Sequence, residues 1–102
     1  MTDIENYSAG DWHVRPGSED AFVARWTEFL EWTHASAPGL LSARLVRDAG
    51  EPAHFISFAE WESVASVTAW MDLADFDAKF GACAALCEDA RGSRYTLTAQ
   101  VR

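Results

Sequence analysis

Residues Phe55–Ser63 have the sequence FISFAEWES, an extended apolar run that stops at Ser63, where a helix-like pattern begins. The same order occurs at Trp12–Phe22, WHVRPGSEDAF, where the apolar run stops at Pro16-Gly17. Proline cannot donate to a strand ladder and glycine permits a turn, so each stretch predicts a strand followed by a helix. The chain therefore uses one strand-then-helix unit twice.

Around the first unit, the extended run that ends at Pro16-Gly17 predicts a strand over Tyr7–Val14, and the pattern after Ser18 predicts a helix that runs to about Ala35. Ser18 is a favourable N-cap residue, and the acidic residues that follow it complement the positive end of the helix dipole. A helical spacing of apolar residues gives one core-facing stripe, formed by Phe22, Trp26, Phe29, Leu30 and Thr33.

The next segments predict a hairpin of two strands. Leu40–Asp48 is the first, with Leu41, Ala43 and Leu45 on one face, and a turn-rich loop over Asp48–Pro52 follows it. His54–Glu60 is the second, and it is apolar on both faces, which is typical of a central strand.

Ser63 is expected to cap a second helical region with a kink at Asp72–Asp75, where Asp72 caps the second segment. Its apolar stripe continues through Cys83 and Cys87, and Arg91-Gly92 is the expected helix end, with the glycine in a left-handed conformation. The alternating residues from Ser93 to Val101 predict the last strand, with Tyr95 and Leu97 on the same face.

The element order is therefore β-α-β-β-α-β, and the predicted fold class is α+β, a ferredoxin-like fold with an antiparallel sheet. Two helices cover only one face of such a sheet. The second face still carries apolar side chains, which monomers rarely leave exposed over a large area. We therefore expect a homodimer that packs sheet against sheet, a dimeric α/β barrel.

Length and composition indicate one domain over residues 1–102, with residues 1–6 as a loose polar end. A hydrophobic fraction of 49% is enough for a packed core, and a net charge of −8 argues against nucleic-acid binding or an anionic membrane surface. No apolar run is long enough to span a bilayer. The acidic N-terminus lacks a signal-peptide pattern, so the expected location is cytoplasmic.

Few reactive motifs are present. Cys83 and Cys87 are expected to be buried, reduced thiols, because a disulfide at this helical spacing would be strained. The sequence contains no nucleophile elbow, P-loop or dinucleotide-binding glycine motif. Its three histidines, His13, His34 and His54, do not form a predicted metal cluster, and any of them could act as a general base.

Two motifs carry a family resemblance, W-x-V-x-P-G-x-E-x-x-F at residues 12–22 and F-x-S-F-x-x-W-E-S at residues 55–63. The chain resembles the antibiotic biosynthesis monooxygenase family of the dimeric α/β-barrel superfamily over about residues 7–101. The resemblance implies a pocket between the sheet and the helices of each protomer. It also implies oxidation of a small aromatic or polyketide-like phenol or quinol by molecular oxygen, without a metal, flavin or haem.

Such chemistry needs little from the protein, since a deprotonated polyphenol is itself an electron donor to oxygen. The protein binds the phenolate and stabilises charge on the reduced oxygen with hydrogen-bond donors. By resemblance, Trp61 and Ser57 are the candidate catalytic residues. Ser57 stands where quinol-oxidising members have an asparagine, and Trp70 and Met71 stand where haem-degrading members have a histidine, so haem degradation is not expected.

Aromatic residues are the candidate lining of the substrate pocket: Trp26, Trp70, Phe76, Phe80 and Tyr95. Two alternatives to a cofactor-independent monooxygenase stay open at this point. One is a dimeric ligand-binding protein of the same fold without turnover. The other is a non-oxidative polyketide cyclase, which needs a base and a shaped pocket but no oxygen.

Overall fold

The computed structural model describes residues 6–101 and confirms the α+β, ferredoxin-like prediction. The elements in chain order are β1 (Asn6–Val14), α1 (Glu19–Ser36), β2 (Leu40–Arg47), β3 (His54–Trp61), α2 (Val64–Met71), α3 (Phe76–Ala84) and β4 (Cys87–Thr96). Residues 1–5 of the predicted loose end lie outside the described part, and Asn6 already belongs to β1.

The four strands form one antiparallel sheet in the order β2-β3-β1-β4. β3 is internal, as its apolar faces predicted. Burial alternates residue by residue along β1 and β3, so the sheet has a buried and a less buried face. We call the buried one the inner sheet face; it carries Ser8, Gly10, Trp12 and Val14 of β1 and Phe55, Ser57, Ala59 and Trp61 of β3.

The helices cover the inner sheet face. Four of the five stripe residues predicted for α1 are buried there, and the fifth, Leu30, is partly buried. Phe22 packs against Trp12 at 5.3 Å and against Phe55 at 5.0 Å between ring centroids. α3 adds Phe80, whose ring lies 5.1 Å from that of Trp12. None of the helices among residues 6–101 has the length and apolar character needed to cross a membrane.

The opposite side, the outer sheet face, carries Tyr7, Ala9, Asp11 and His13 of β1, His54, Ile56 and Phe58 of β3, and Tyr95 of β4, as the strand register requires. Phe58 is 39% exposed and Tyr95 is 57% exposed. Both rings are exposed to this extent, so this face keeps exposed apolar surface.

The predicted end of the last helix is wrong. α3 ends at Ala84, and Arg91-Gly92 lies inside β4, where Gly92 pairs with Gly10 and has no left-handed backbone conformation. Pairing with β1 outweighs the helical pattern of the alanine-rich segment, since Cys87 already pairs with Val14. Cys83 and Cys87 thus lie on different elements, although both are buried and free as expected.

Smaller differences have local causes. A bulge between Leu40 and Ser42 leaves Leu41 57% exposed, so Leu41 does not share the half-buried environment of Ala43 and Leu45. The kink is present between α2 and α3, but the N-cap residue of α3 is Asp75 rather than Asp72. Ser63 accepts from the backbone N–H of Ser66, as a capping side chain should.

Candidate active site

A cavity of about 440 Å³ lies between the inner sheet face and the three helices. Small residues on the strands and large aromatic residues on the helices enclose it. Its lining residues are Ser8, Ala9, Gly10, Trp12, Phe29, Ser57, Trp70, Met71, Phe76, Asp77, Phe80, Gly92, Ser93 and Arg94. A volume of this size suits a small aromatic molecule.

Two glycines on neighbouring strands make part of this space. Gly10 pairs with Gly92 across the β1–β4 ladder, so neither strand projects a side chain from that point of the sheet. A Cβ atom at Gly10 would lie 2.5 Å from the indole Nε1 of Trp12. The indole therefore folds back over the strand at Gly10, where any larger residue would collide with it.

The walls of the cavity are aromatic, and three of the residues predicted to line it form part of them. Trp70 of α2 and Phe76 of α3 meet edge to face at 4.8 Å, and Phe76 and Phe80 stack at 5.8 Å. Phe29 of α1 completes this wall, with its ring 5.7 Å from that of Trp70. The structure thus brings Trp70, Phe76 and Phe80 together around one space, with faces and edges available to an aromatic ligand.

Two serine hydroxyls on the inner sheet face are polar groups in this aromatic space. Each is held by a tryptophan: Trp12 Nε1 donates to Ser57 Oγ at 3.0 Å, and Trp61 Nε1 donates to Ser8 Oγ at 3.0 Å. An indole N–H is only a donor, so each serine must be the acceptor. The serine O–H hydrogens are therefore left to donate to another group, and both serines line the cavity.

Trp61 stands behind Ser8 and does not line this cavity. Its side chain is 1% exposed, its ring packs 4.9 Å from Trp70, and its one N–H is already used by Ser8. Trp26 lies deeper too: it borders a small void of about 40 Å³ that also contacts Trp61 and Ser57. Trp26 and Trp61 therefore border this small void and not the larger cavity, although Ser8, Phe29, Ser57 and Trp70 border both.

Tyr95 is the predicted pocket residue that the structure places elsewhere. It pairs with Tyr7 on the outer sheet face, and the sheet separates it from the cavity. The three histidines are also away from this space, because His13 and His54 lie on the outer sheet face and His34 lies at the end of α1. The cavity lining contains none of the candidate bases.

The rim carries two charged residues that the sequence interpretation missed. Asp77 of α3 and Arg94 of β4 both border the cavity, and Arg94 Nη1 donates to Thr68 Oγ1 at 3.0 Å. Among the described lining residues, Asp77 is the carboxylate available to take a proton from a bound phenol. Asp77 sits in the first turn of α3, where a negative charge is favourable.

Ser8 and Trp12 were missed as site residues as well, although a signal was present. Ser8, Gly10 and Trp12 follow one another at intervals of two residues, which places all three on one face of a strand. The burial of Trp12 on that face identifies it as the inner one.

The cysteines do not supply a nucleophile. Burial raises the pKa of the Cys83 thiol to about 12, and burial also raises the pKa of Cys87. A thiol is nucleophilic only as the thiolate, so both are unreactive near neutral pH. Cys87 Sγ instead faces the backbone oxygen of Cys83 at 3.5 Å.

Comparison with solved structures shows the same fold in proteins of low sequence identity. A conserved protein from Methanosarcina mazei Go1 aligns with a TM-score of 0.80 at 14% identity, over 91% of this chain and 92% of that one. A mutant of SnoaB, a cofactor-independent oxygenase from Streptomyces nogalater, aligns with a TM-score of 0.80 at 18% identity, over 99% and 97% of the two chains.

Sequence comparison gives the family. A search of curated proteins finds no significant match. The profile described as "Antibiotic biosynthesis monooxygenase" matches residues 9–80, which include most of β1, both sequence motifs and most of the cavity wall. The chain belongs to the antibiotic biosynthesis monooxygenase family.

Proposed function

We propose that this protein is a cofactor-independent monooxygenase that oxidises a small phenol, anthrone or quinol with molecular oxygen. Family membership supports the reaction class, and the fold is that of SnoaB, a cofactor-independent oxygenase. The observation that carries the proposal is the pair of buried hydroxyls, Ser8 and Ser57, on the floor of a cavity with aromatic walls.

The walls bind the substrate and the floor orients it. The aromatic side chains of Trp70, Phe76 and Phe80 suit a flat ring, while the serine O–H groups donate to its oxygen. A donor to a phenolate oxygen favours the ionised form, and that form is the reductant. At the rim, Asp77 is the candidate acceptor for the phenol proton.

The reaction balances without a further reductant. The bound phenolate gives one electron to O2, and the resulting superoxide and phenoxyl radical combine into a C–O bond. The peroxide takes up the proton that left the phenol and then loses water. Its O–O bond and the C–H bond of the same carbon break, which leaves a quinone that carries one oxygen atom from O2, while the second leaves as water. Charge develops on oxygen in both steps, where prearranged hydroxyl donors stabilise it.

In this proposal Ser57 and Ser8 are the catalytic residues, and Trp61 is a positioning residue. The only hydrogen that the Trp61 indole can donate goes to Ser8, so Trp61 acts on the reacting atoms through that hydroxyl. Trp12 has the same relation to Ser57. Ser57 thus supplies one donor where quinol-oxidising relatives are expected to carry an asparagine.

We also propose that the protein is a homodimer with the outer sheet faces packed together. Val46, Phe58 and Tyr95 contribute exposed apolar groups on three different strands of this face, at 45%, 39% and 57% exposure. A second copy of the chain would cover this surface by two-fold symmetry.

The test is oxygen consumption by metal-free, flavin-free and haem-free protein with dihydroxynaphthalenes, anthrones and simple quinols. Thermal-shift binding selects the compounds, and mass spectrometry with labelled O2 follows the product. Incorporation of one labelled atom supports the monooxygenase. Binding without any product supports the ligand-binding alternative, and a rearranged product without oxygen uptake supports the cyclase.

A further inference from the structure

Two histidines and an aspartate meet on the outer sheet face, on the side of the sheet away from the cavity. His13 of β1 and His54 of β3 are directly paired in the ladder, and their rings stack at 4.4 Å with an interplanar angle of 9°. Asp11 lies two residues before His13 and therefore on the same face. The three side chains project from paired strands, which hold a constellation more firmly than loops do.

One carboxylate oxygen joins both rings. Asp11 Oδ1 lies 2.6 Å from His54 Nε2 and 3.3 Å from His13 Nε2. The candidate ligand atoms of the three residues all lie within 4.8 Å of one another. Zinc with ligand bonds of about 2.0–2.2 Å separates its ligand atoms by roughly 3.4 Å. The Asp11–His13 spacing already fits this geometry. The Asp11–His54 pair needs to open by roughly 0.8 Å, and the two imidazole rings need to turn out of their parallel stack before both Nε2 lone pairs can point at one ion.

A fourth residue fixes the orientation of His54. Asp48, at the end of β2, places Oδ2 2.8 Å from His54 Nδ1. A carboxylate on the far nitrogen is the usual support of a metal-binding histidine, because it keeps the proton on that nitrogen. The near nitrogen, Nε2, faces Asp11 Oδ1 at 2.6 Å and therefore also carries a proton in the metal-free protein, which a bound ion has to displace. The His54 side chain is also the least exposed of the three, at 19%.

The charge around this cluster is mixed and permits a cation. In the strand register, Asp89 lies opposite His13 on β4, and Arg91 lies opposite Asp11. Two imidazoles with one carboxylate form a ligand set that suits zinc and similar transition metals, and they leave a fourth position for water.

We propose that Asp11, His13 and His54 form a binding site for a divalent transition-metal ion of the Zn²⁺ type, with Asp48 as the residue that orients His54. The site is separate from the cavity, since the strands stand between them. It makes no use of the oxygenase proposal. It does lie on the outer sheet face, so in the proposed homodimer the bound ion would sit at or beside the interface between the two copies.

The experiment titrates ZnCl2 by calorimetry into the full chain, produced without a histidine tag and treated with a chelator. We expect one ion per chain. Asp11→Asn and His13→Gln each weaken zinc affinity by at least about tenfold, and Asp48→Asn weakens it by about 10–100-fold. His34→Gln is the matched control, because His34 lies on α1 outside the cluster, and it leaves the affinity within about twofold.

A second readout keeps the result independent of folding defects. Zinc added to the wild-type protein shifts the imidazole NMR signals of His13 and His54 but not those of His34. The proposal is overturned by the absence of saturable binding, or by equal effects of His13→Gln and His34→Gln. It is also overturned if Glu51→Gln weakens binding and His13→Gln does not, since the ion would then sit in the β2–β3 hairpin.

Discussion

Trp61 is hydrogen-bonded to Ser8 on the neighbouring strand, with Nε1 3.0 Å from Oγ, and its side chain is 1% exposed. Trp61 belongs to the family motif but does not line the cavity itself. The hydroxyl of Ser8, to which Trp61 donates, does line it. The role expected of Trp61 as a direct donor passes to Ser8 in our proposal.

Removing either serine hydroxyl is expected to lower turnover. We predict that Ser8→Ala and Ser57→Ala each reduce kcat by about 10²–10³-fold on an authentic substrate, the usual effect of losing one donor to a developing oxyanion. Steady-state oxygen uptake measures it. Ser42→Ala, at an exposed position on β2, is the matched control and should retain full activity.

These variants also leave an indole N–H buried without its acceptor. Each is expected to lose about 1–3 kcal/mol of unfolding free energy, measured by urea denaturation. Turnover that falls only in proportion to the unfolded fraction would assign the serines a structural role alone.

Gly10→Ala is expected to destabilise the protein by about 1–3 kcal/mol, the typical effect of forcing a methyl group into a packed core. The new Cβ would meet Trp12 Nε1 at 2.5 Å and Ser57 Oγ at 2.7 Å, so the Trp12–Ser57 hydrogen bond must break or shift.

Gly81→Ala provides the contrast, because a Cβ there meets nothing within 4 Å and the residue lies inside α3. Alanine in a helix interior is favoured over glycine by about 0.5–1 kcal/mol, so this variant should be more stable than the wild type. If Gly10→Ala and Gly81→Ala shifted the thermal unfolding temperature in the same direction, the close packing at Gly10 would be contradicted.

The outer sheet face is expected to hold the dimer together. Phe58→Glu places a charge in the centre of the proposed interface, and we predict a monomer by light scattering at micromolar concentration. Ala24→Glu is the control: Ala24 is exposed on α1, which packs on the opposite face of the sheet, so the mass should not change. A wild-type monomer would refute the homodimer.

The two cysteines are expected to resist alkylation near neutral pH until the protein unfolds, because both thiols are buried with raised pKa values. Mass spectrometry after iodoacetamide treatment, with and without urea, measures this. Rapid modification of the folded protein would show that α3 opens from the sheet.

The same burial predicts a pH dependence of stability. The pKa of Cys83 rises from 9.0, the value of an unperturbed thiol, to about 12 in the fold, so above pH 9.0 the unfolded chain binds fewer protons than the folded one. The free energy of unfolding therefore falls as the pH rises from 9.0 towards 12. Cys83→Ala should flatten this slope in thermal unfolding, whatever its effect at neutral pH.

The first three strands and the first helix could be predicted because their patterns are local. The extended run that leads to Val14 and the break at Pro16-Gly17 are visible without any partner strand. The start of β4 was missed because the alanine-rich segment after Cys83 continues a helical pattern, and only pairing with β1 converts Cys87 into a strand residue.

The residues of the candidate site could likewise be predicted only in part. Trp70, Phe76 and Phe80 follow from helical spacing and do border the cavity. Tyr95 was placed by alternation, which gives two faces but does not say which one meets the helices. The hydrogen bonds of Trp12 and Trp61 depend on the register between β1 and β3, so their serine partners could not be read from one strand.

The aromatic wall also gives the protein an optical property. Trp12 and Trp70 border the cavity, and Trp61 lies 4.9 Å from Trp70, so excitation energy transfers readily between Trp61 and Trp70. Quinones absorb in the region where tryptophan emits. If the proposed function is right, a coloured product formed in the cavity would therefore quench the intrinsic fluorescence of the protein, and the recovery of that emission would report product release without any added label.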